Sequence, residues 1–106
     1  MTDLSPKDAR AKWQAGEVSI VDVREPDEIK ATRVSGMLNI PMSELQTRID
    51  ELPEGPLAVF CRSGNRSGQV ADYLNGLGEY GEVANIEGGI LAWAAEGLPY
   101  EGSTPQ

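Results

Sequence analysis

The chain has 106 residues, 40% hydrophobic and 25% charged, with one cysteine, no histidine and a formal net charge of −8. This is the size and mix of one globular domain; an internal disulfide or a structural zinc site is excluded, and the acidic balance speaks against nucleic acid or an acidic membrane surface as partner. No apolar run approaches a membrane span, MTDLSPKDARAKW has no basic-then-apolar leader pattern, and a lone free thiol suits a reducing compartment, so a cytoplasmic protein is expected.

In chain order, Ser5-Pro6-Lys7-Asp8 reads as a helix start, with Ser5 as cap and Pro6 in the first position. That helix should run to about Gln14 and stop at Gly16. The β-branched stretch from Val18 to Val23 predicts a strand. Glu25-Pro26-Asp27-Glu28 follows with the proline and acids of a helix N-terminus. Residues Arg33 to Pro41 read as a connection, with a short strand near Met37-Leu38. Ser43 to about Leu52 predicts another helix, on Leu45 and Ile49 at i, i+4.

After the turn cluster Pro53-Glu54-Gly55-Pro56, the run Leu57-Ala58-Val59-Phe60 is continuously apolar, as in a strand buried on both faces. Val70, Ala71, Leu74 and Leu77 give helical spacing from Ser67 to about Leu77. Glu82 to Ile86 predicts a strand, and Gly88-Gly89 turns the chain into a last helix, Ile90 to Glu96, ended by Gly97. Residues from about 99 onward are expected to form a loosely ordered tail. Strands alternating with helices predict an α/β domain on a mainly parallel sheet, whose ligands sit in loops beyond the carboxyl ends of the strands.

Cys61 lies in such a loop, CRSGNRSG, between the Leu57 to Phe60 strand and a helix. From Glu54 to the end there are seven acidic residues and two basic ones, Arg62 and Arg66, and both basic residues are in this loop. A cysteine ending a buried strand is commonly an inert small hydrophobe. Here the loop position and the gathered positive charge point instead to an activated thiolate. An unperturbed thiol ionises near pH 8.5, and helix N-termini or cations lower this to about 3.5–7.5. Lowering it by two units takes about 2.7 kcal/mol. A helix N-terminus with one or two charge-assisted N–H bonds supplies that much without a histidine. Gly64 accepts the positive φ that a returning loop needs. Small Ser63, Asn65 and Ser67 let backbone N–H groups converge on an anion. Arg62 and Arg66 can offer cationic forks to an oxyanionic substrate, and Ser67 can cap the helix or donate to the thiolate.

The segments IVDVREPDE (Ile20 to Glu28), GMLNIP (Gly36 to Pro41), CRSGNRS (Cys61 to Ser67) and NIEGGILAW (Asn85 to Trp93) resemble, in order, those of single-domain rhodaneses, the thiosulfate sulfurtransferase-like modules. The likeness spans Leu4 to Pro99. It implies a five-stranded, mainly parallel sheet flanked by helices over residues 1–106, with Cys61 as nucleophile. It also implies that Arg62, Ser63, Gly64, Asn65, Arg66 and Ser67 form a substrate-binding cradle. The implied reaction takes sulfur from thiosulfate or a similar donor as a Cys61 persulfide and passes it to cyanide, a thiol or a sulfur-accepting protein, with no cofactor or metal. Asp22 and Arg24 are expected to pair at the strand end and brace the loop, with direct contact of Arg24 to substrate as the alternative. Gly88-Gly89 reads as a tight turn, and Trp13 and Trp93 as core anchors. The chain departs from the family at Thr32-Arg33, where members commonly carry Gly-His. Arg33 is then either a structural hydrogen-bonding side chain or an added cation near the active-site rim.

Two other functional readings stand beside this one. A regulatory or sulfur-carrier module would keep the fold without free turnover, although the cysteine and its loop are intact. A cysteine phosphatase or arsenate reductase also uses a cradled thiolate. Those families have five residues between cysteine and arginine, whereas four separate Cys61 from Arg66, and Phe60 stands where phosphatases usually carry histidine. The shorter loop suits one terminal sulfur better than a phosphoryl group.

Overall fold

The computed structural model describes residues 3–106. Helix α1 (Pro6–Gln14) starts where the sequence signals it: Ser5 Oγ accepts from the Asp8 N–H at 3.1 Å, and Pro6 fills the first position. Strand β1 (Ser19–Asp22) leads into α2 (Pro26–Ala31), whose start is closed by a reciprocal box between Glu25 and Glu28. β3 (Leu38–Asn39), β4 (Leu57–Phe60), α3 (Asn65–Leu77), β5 (Val83–Asn85) and α4 (Gly89–Ala95) follow, after a two-residue β2 (Thr32–Arg33).

The main sheet has the order β3-β1-β4-β5, and every pairing in it is parallel. Beyond β5, Leu4 makes a single parallel bridge with Ile86. Its N–H donates to the Asn85 carbonyl at 2.9 Å, and its own carbonyl accepts from Glu87 at 2.8 Å. The five expected strands are thus four strands and a one-residue bridge, because the chain turns into α1 directly after Leu4.

Alternation along the strands builds two cores. Val21, Val23, Leu57, Val59 and Val83 face Val70, Ala71 and Leu74 of α3. Ile20, Ala58, Phe60 and Ile86 face Ala9 of α1 and Ile90 and Trp93 of α4. All four residues of β4 are buried, as its unbroken apolar run predicts. Trp93 meets Phe60 edge-on at 5.5 Å between centroids and Trp13 at 6.4 Å, so both tryptophans anchor the core. No helix among the described residues is long and apolar enough to cross a membrane.

Three stretches differ from the sequence reading. The helix expected from Ser43 to Leu52 is instead two 3-10 turns, Met42–Glu44 and Ile49–Glu51. Thr47 Oγ1 donates to the Glu44 carbonyl at 3.0 Å, and Arg48 leaves helical geometry at φ −116. The Glu44 carbonyl keeps its helical donor, Arg48 N–H, at 3.1 Å, but Leu45 and Leu52 bond three residues back and Pro53 holds Leu52 extended, so no regular helix runs through. Helix α3 begins at Asn65, two residues before the expected start, with Gly64 as its cap. The segment expected as a loose tail carries β6 (Glu101–Gly102), antiparallel to β2. Trp93 Nε1 donates to the Pro99 carbonyl at 2.8 Å, and Thr32 Oγ1 to the Ser103 carbonyl at 2.7 Å. Two-residue strands have no periodicity to read.

Candidate active site

β4 delivers Cys61 to the carboxyl end of the sheet, and the chain must reverse within three residues to enter α3. Gly64 makes that reversal at φ +93, in the left-handed region that favours glycine. The reversal turns N–H groups inward: Gly64 N–H donates to Cys61 Sγ at 3.1 Å and Ser67 N–H at 3.4 Å, while Ser67 Oγ lies 3.2 Å away. Those are the cap and first-turn N–H groups of α3, which have no partner within the helix. Both Cys61 and Ser67 are buried. Burial pushes the Cys61 thiol up. The Ser67 hydroxyl, with backbone N–H groups of Ser67, Gly64 and Ser63, outweighs it and holds the thiol below its ordinary value.

The α4 turn pins this loop from the other side. Ile90 N–H donates to the Cys61 carbonyl at 2.9 Å and Leu91 N–H to the Arg62 carbonyl at 3.2 Å. Gly89 sits at φ +53, and a Cβ there would lie 2.2 Å from the Cys61 carbonyl oxygen. The Gly88-Gly89 pair is therefore more than a turn: it lets α4 approach the Cys61 backbone.

Residues 5–96 match the Rhodanese-like domain family. The chain belongs to this family. A sulfurtransferase of Allochromatium vinosum is 43% identical over 84 residues, 78% of each chain. A rhodanese-related protein from Thermoplasma volcanium has a TM-score of 0.85 at 31% identity, covering 97% of this chain and 100% of that one. A thiosulfate sulfurtransferase from Pseudomonas aeruginosa has a TM-score of 0.83 at 26% identity; the match covers 100% of this chain and 21% of that enzyme. The rhodanese-like fold and membership of a sulfurtransferase-type family follow from these likenesses.

Within this rhodanese-like domain, Cys61, Gly64 and Ser67 converge, while the exposed side chains of Ser63 and Asn65 do not touch the sulfur. Of the two options for Ser67, the hydroxyl oxygen lies within reach of the sulfur and does not cap the helix. Arg66 is not a free fork, and Arg62 is engaged through Nε alone. Arg66 donates through Nη1 and Nη2 to both oxygens of Glu28 at 2.7 Å, and the Arg66 fork holds that carboxyl below its usual range. Arg62 Nε donates to the Gln106 carbonyl. Asp22 and Arg24 form the expected pair, with Arg24 Nη2 2.9 Å from Asp22 Oδ2 and both side chains buried. Burial pushes the Asp22 carboxyl up, against the pull of the Arg24 guanidinium. Asn39 ties the pair to β3 by donating to the carbonyls of Asp22 and Arg24, both at 2.9 Å.

At the departure Thr32-Arg33, the Arg33 side chain lies 3.6 Å from Glu101 on β6, so it serves the β2–β6 pairing. Two site residues escaped the sequence reading. Glu28 read only as a helix-start acid, and a partner 38 residues away has no local signal. Asn85 donates to the Gly64 carbonyl at 3.1 Å and accepts from Ser67 Oγ at 2.6 Å. The one local sign is a polar amide between Ala84 and Ile86, but its partners lie 18 and 21 residues away.

Proposed function

We propose that this domain is a thiosulfate sulfurtransferase working through a Cys61 persulfide. The observation that carries the reading is the convergence of Gly64 N–H, Ser67 N–H and Ser67 Oγ on the Cys61 sulfur at the start of α3. Donors held at that position favour a thiolate before any substrate arrives. The thiolate attacks the outer sulfur of thiosulfate. A Cys61 S–S bond forms, the bond to the sulfonate sulfur breaks, and sulfite leaves with its electron pair. Cyanide, a thiol or a carrier protein then attacks the outer sulfur, and the Cys61 thiolate is released into the same donors. Sulfur is transferred without net redox change or added proton carrier, so a chain without histidine can perform both steps. A phosphoryl group would need more donors than this short loop offers.

The Arg66–Glu28 pair bears on the donor. A dianion approaching Arg66 competes with a carboxylate already on its fork. Thiocyanate formation from thiosulfate and cyanide, with an aryl phosphate as contrast, tests the reading. Turnover with thiosulfate and none with the phosphate is expected. In the same assay Glu28→Gln should lower KM for thiosulfate roughly three- to tenfold, because the guanidinium loses its competing anion. Arg66→Ala should raise KM more than it lowers kcat. An unchanged or raised KM in folded Glu28→Gln would mean that the pair shapes the loop and does not screen the donor.

A further inference from the structure

The hydroxyl of Ser67 has one hydrogen and two claimants. Its oxygen is 3.2 Å from Cys61 Sγ and 2.6 Å from Asn85 Oδ1. The orientation of the Asn85 amide is fixed by its other end, because Nδ2 donates to the Gly64 carbonyl at 3.1 Å, a group that can only accept. Asn85 therefore presents an acceptor to Ser67, and the hydroxyl hydrogen cannot serve amide and sulfur together. All three side chains are buried, so no solvent shell softens the choice.

We propose that Asn85 is a positioning residue which, by competing for the Ser67 hydroxyl hydrogen, sets how strongly the cradle stabilises Cys61 as an anion. When the inner sulfur is neutral, as thiol or persulfide, the hydrogen lies on Asn85 Oδ1. When the sulfur is a thiolate, the O–H turns to Sγ, and Asn85 Oδ1 faces a bare oxygen with its donor gone. Leaving a buried acceptor without its donor has a cost, and that cost falls on the thiolate state alone. Asn85 thus keeps the thiolate more basic than Ser67 and the loop amides would make it. A more basic thiolate attacks a donor better and departs from the persulfide less readily, so this one contact sets the balance between the half-steps.

The charged groups around the cradle are Arg62 and Arg66 on the loop, Glu28 of α2 on the fork of Arg66, Glu25 beside that pair, and the buried Asp22–Arg24 pair at the end of β1. The elements that bear on Ser67 and on the loop carbonyls, β5 (VAN) and α4 (GILAWAA), bring no ionisable side chain. Ser67 and Asn85 are therefore the neutral adjusters of a site whose charges lie on other elements.

The inference rests on Cys61 being the nucleophile but is tested without turnover. The Cys61 titration is read by ultraviolet thiolate absorbance in the wild type, Asn85→Ala, Ser67→Ala and the double variant. Asn85→Ala should lower the Cys61 pKa by about one unit, a tenfold gain in thiolate below the transition. In the Ser67→Ala background, Asn85→Ala should change nothing. A rise or no change in Asn85→Ala, or the same shift with and without the Ser67 hydroxyl, would overturn the proposal and leave Asn85 as a brace for the Gly64 carbonyl. A second readout needs no substitution at Asn85. Its side-chain carbonyl carbon should follow the Cys61 titration in the wild type by NMR and stay flat in Ser67→Ala; a flat response in the wild type overturns the proposal equally. Failure of sulfur transfer with these titrations intact would fault only the catalytic reading.

Discussion

Asp22→Ala should cost about 3–5 kcal/mol of stability, because it leaves a buried guanidinium without its counter-ion. Arg24 donates Nε to Asp22 Oδ1 at 3.1 Å and Nη2 to Oδ2 at 2.9 Å, and its backbone N–H donates to Oδ1 at 3.1 Å. Arg24 is 2% exposed and cannot lose its charge to escape, as a buried lysine can. The loss would spread, since Asn39 bonds the carbonyls of both residues and holds β3 to the same corner. Urea denaturation should show a lower midpoint with an unchanged slope. A loss below about 1 kcal/mol would mean that Arg24 finds water or another acceptor, and that the pair does not brace the site.

Cys61→Ser should abolish sulfur transfer, a drop on the order of 10⁴-fold or more in kcat, while the domain stays folded. Serine is close to isosteric, and the N–H groups of Gly64 and Ser67 would still find an acceptor there. What is lost is the anion: an alkoxide is far too basic for these donors to stabilise at neutral pH, and no histidine stands by to accept its proton. Thiocyanate formation and thermal melting, measured side by side, check both halves. Residual turnover above background in a folded Cys61→Ser protein would remove the covalent step from the mechanism.

The parts legible in the sequence were those encoded locally. The four apolar residues of β4, the capped start of α1 and the glycine reversal at Gly64 each carry a short-range signal, and together they put the thiol at a sheet end before a helix. The parts not legible depend on distant partners. Glu28 reaches Arg66 from another helix, and Asn85 acts through Ser67 across 18 residues. Sequence offered Arg66 as a free fork because charge counting sees a cation but not what already occupies it. The two-residue pairing of Thr32–Arg33 with Glu101–Gly102 is likewise long-range, and it gives Arg33 a partner on β6. The expected helix after Ser43 failed for the opposite reason: Leu45 and Ile49 have helical spacing, but the backbone N–H groups of Leu45 and Leu52 bond three residues back and the stretch closes as short 3-10 turns.

The central claim is that this cradle makes and holds a persulfide on Cys61. Intact mass after incubation with thiosulfate, and again after cyanide, tests it most directly. The account predicts a gain of one sulfur atom, absent in Cys61→Ser and discharged by cyanide as thiocyanate. A folded protein with a titratable Cys61 thiol that gains no sulfur from thiosulfate would contradict it.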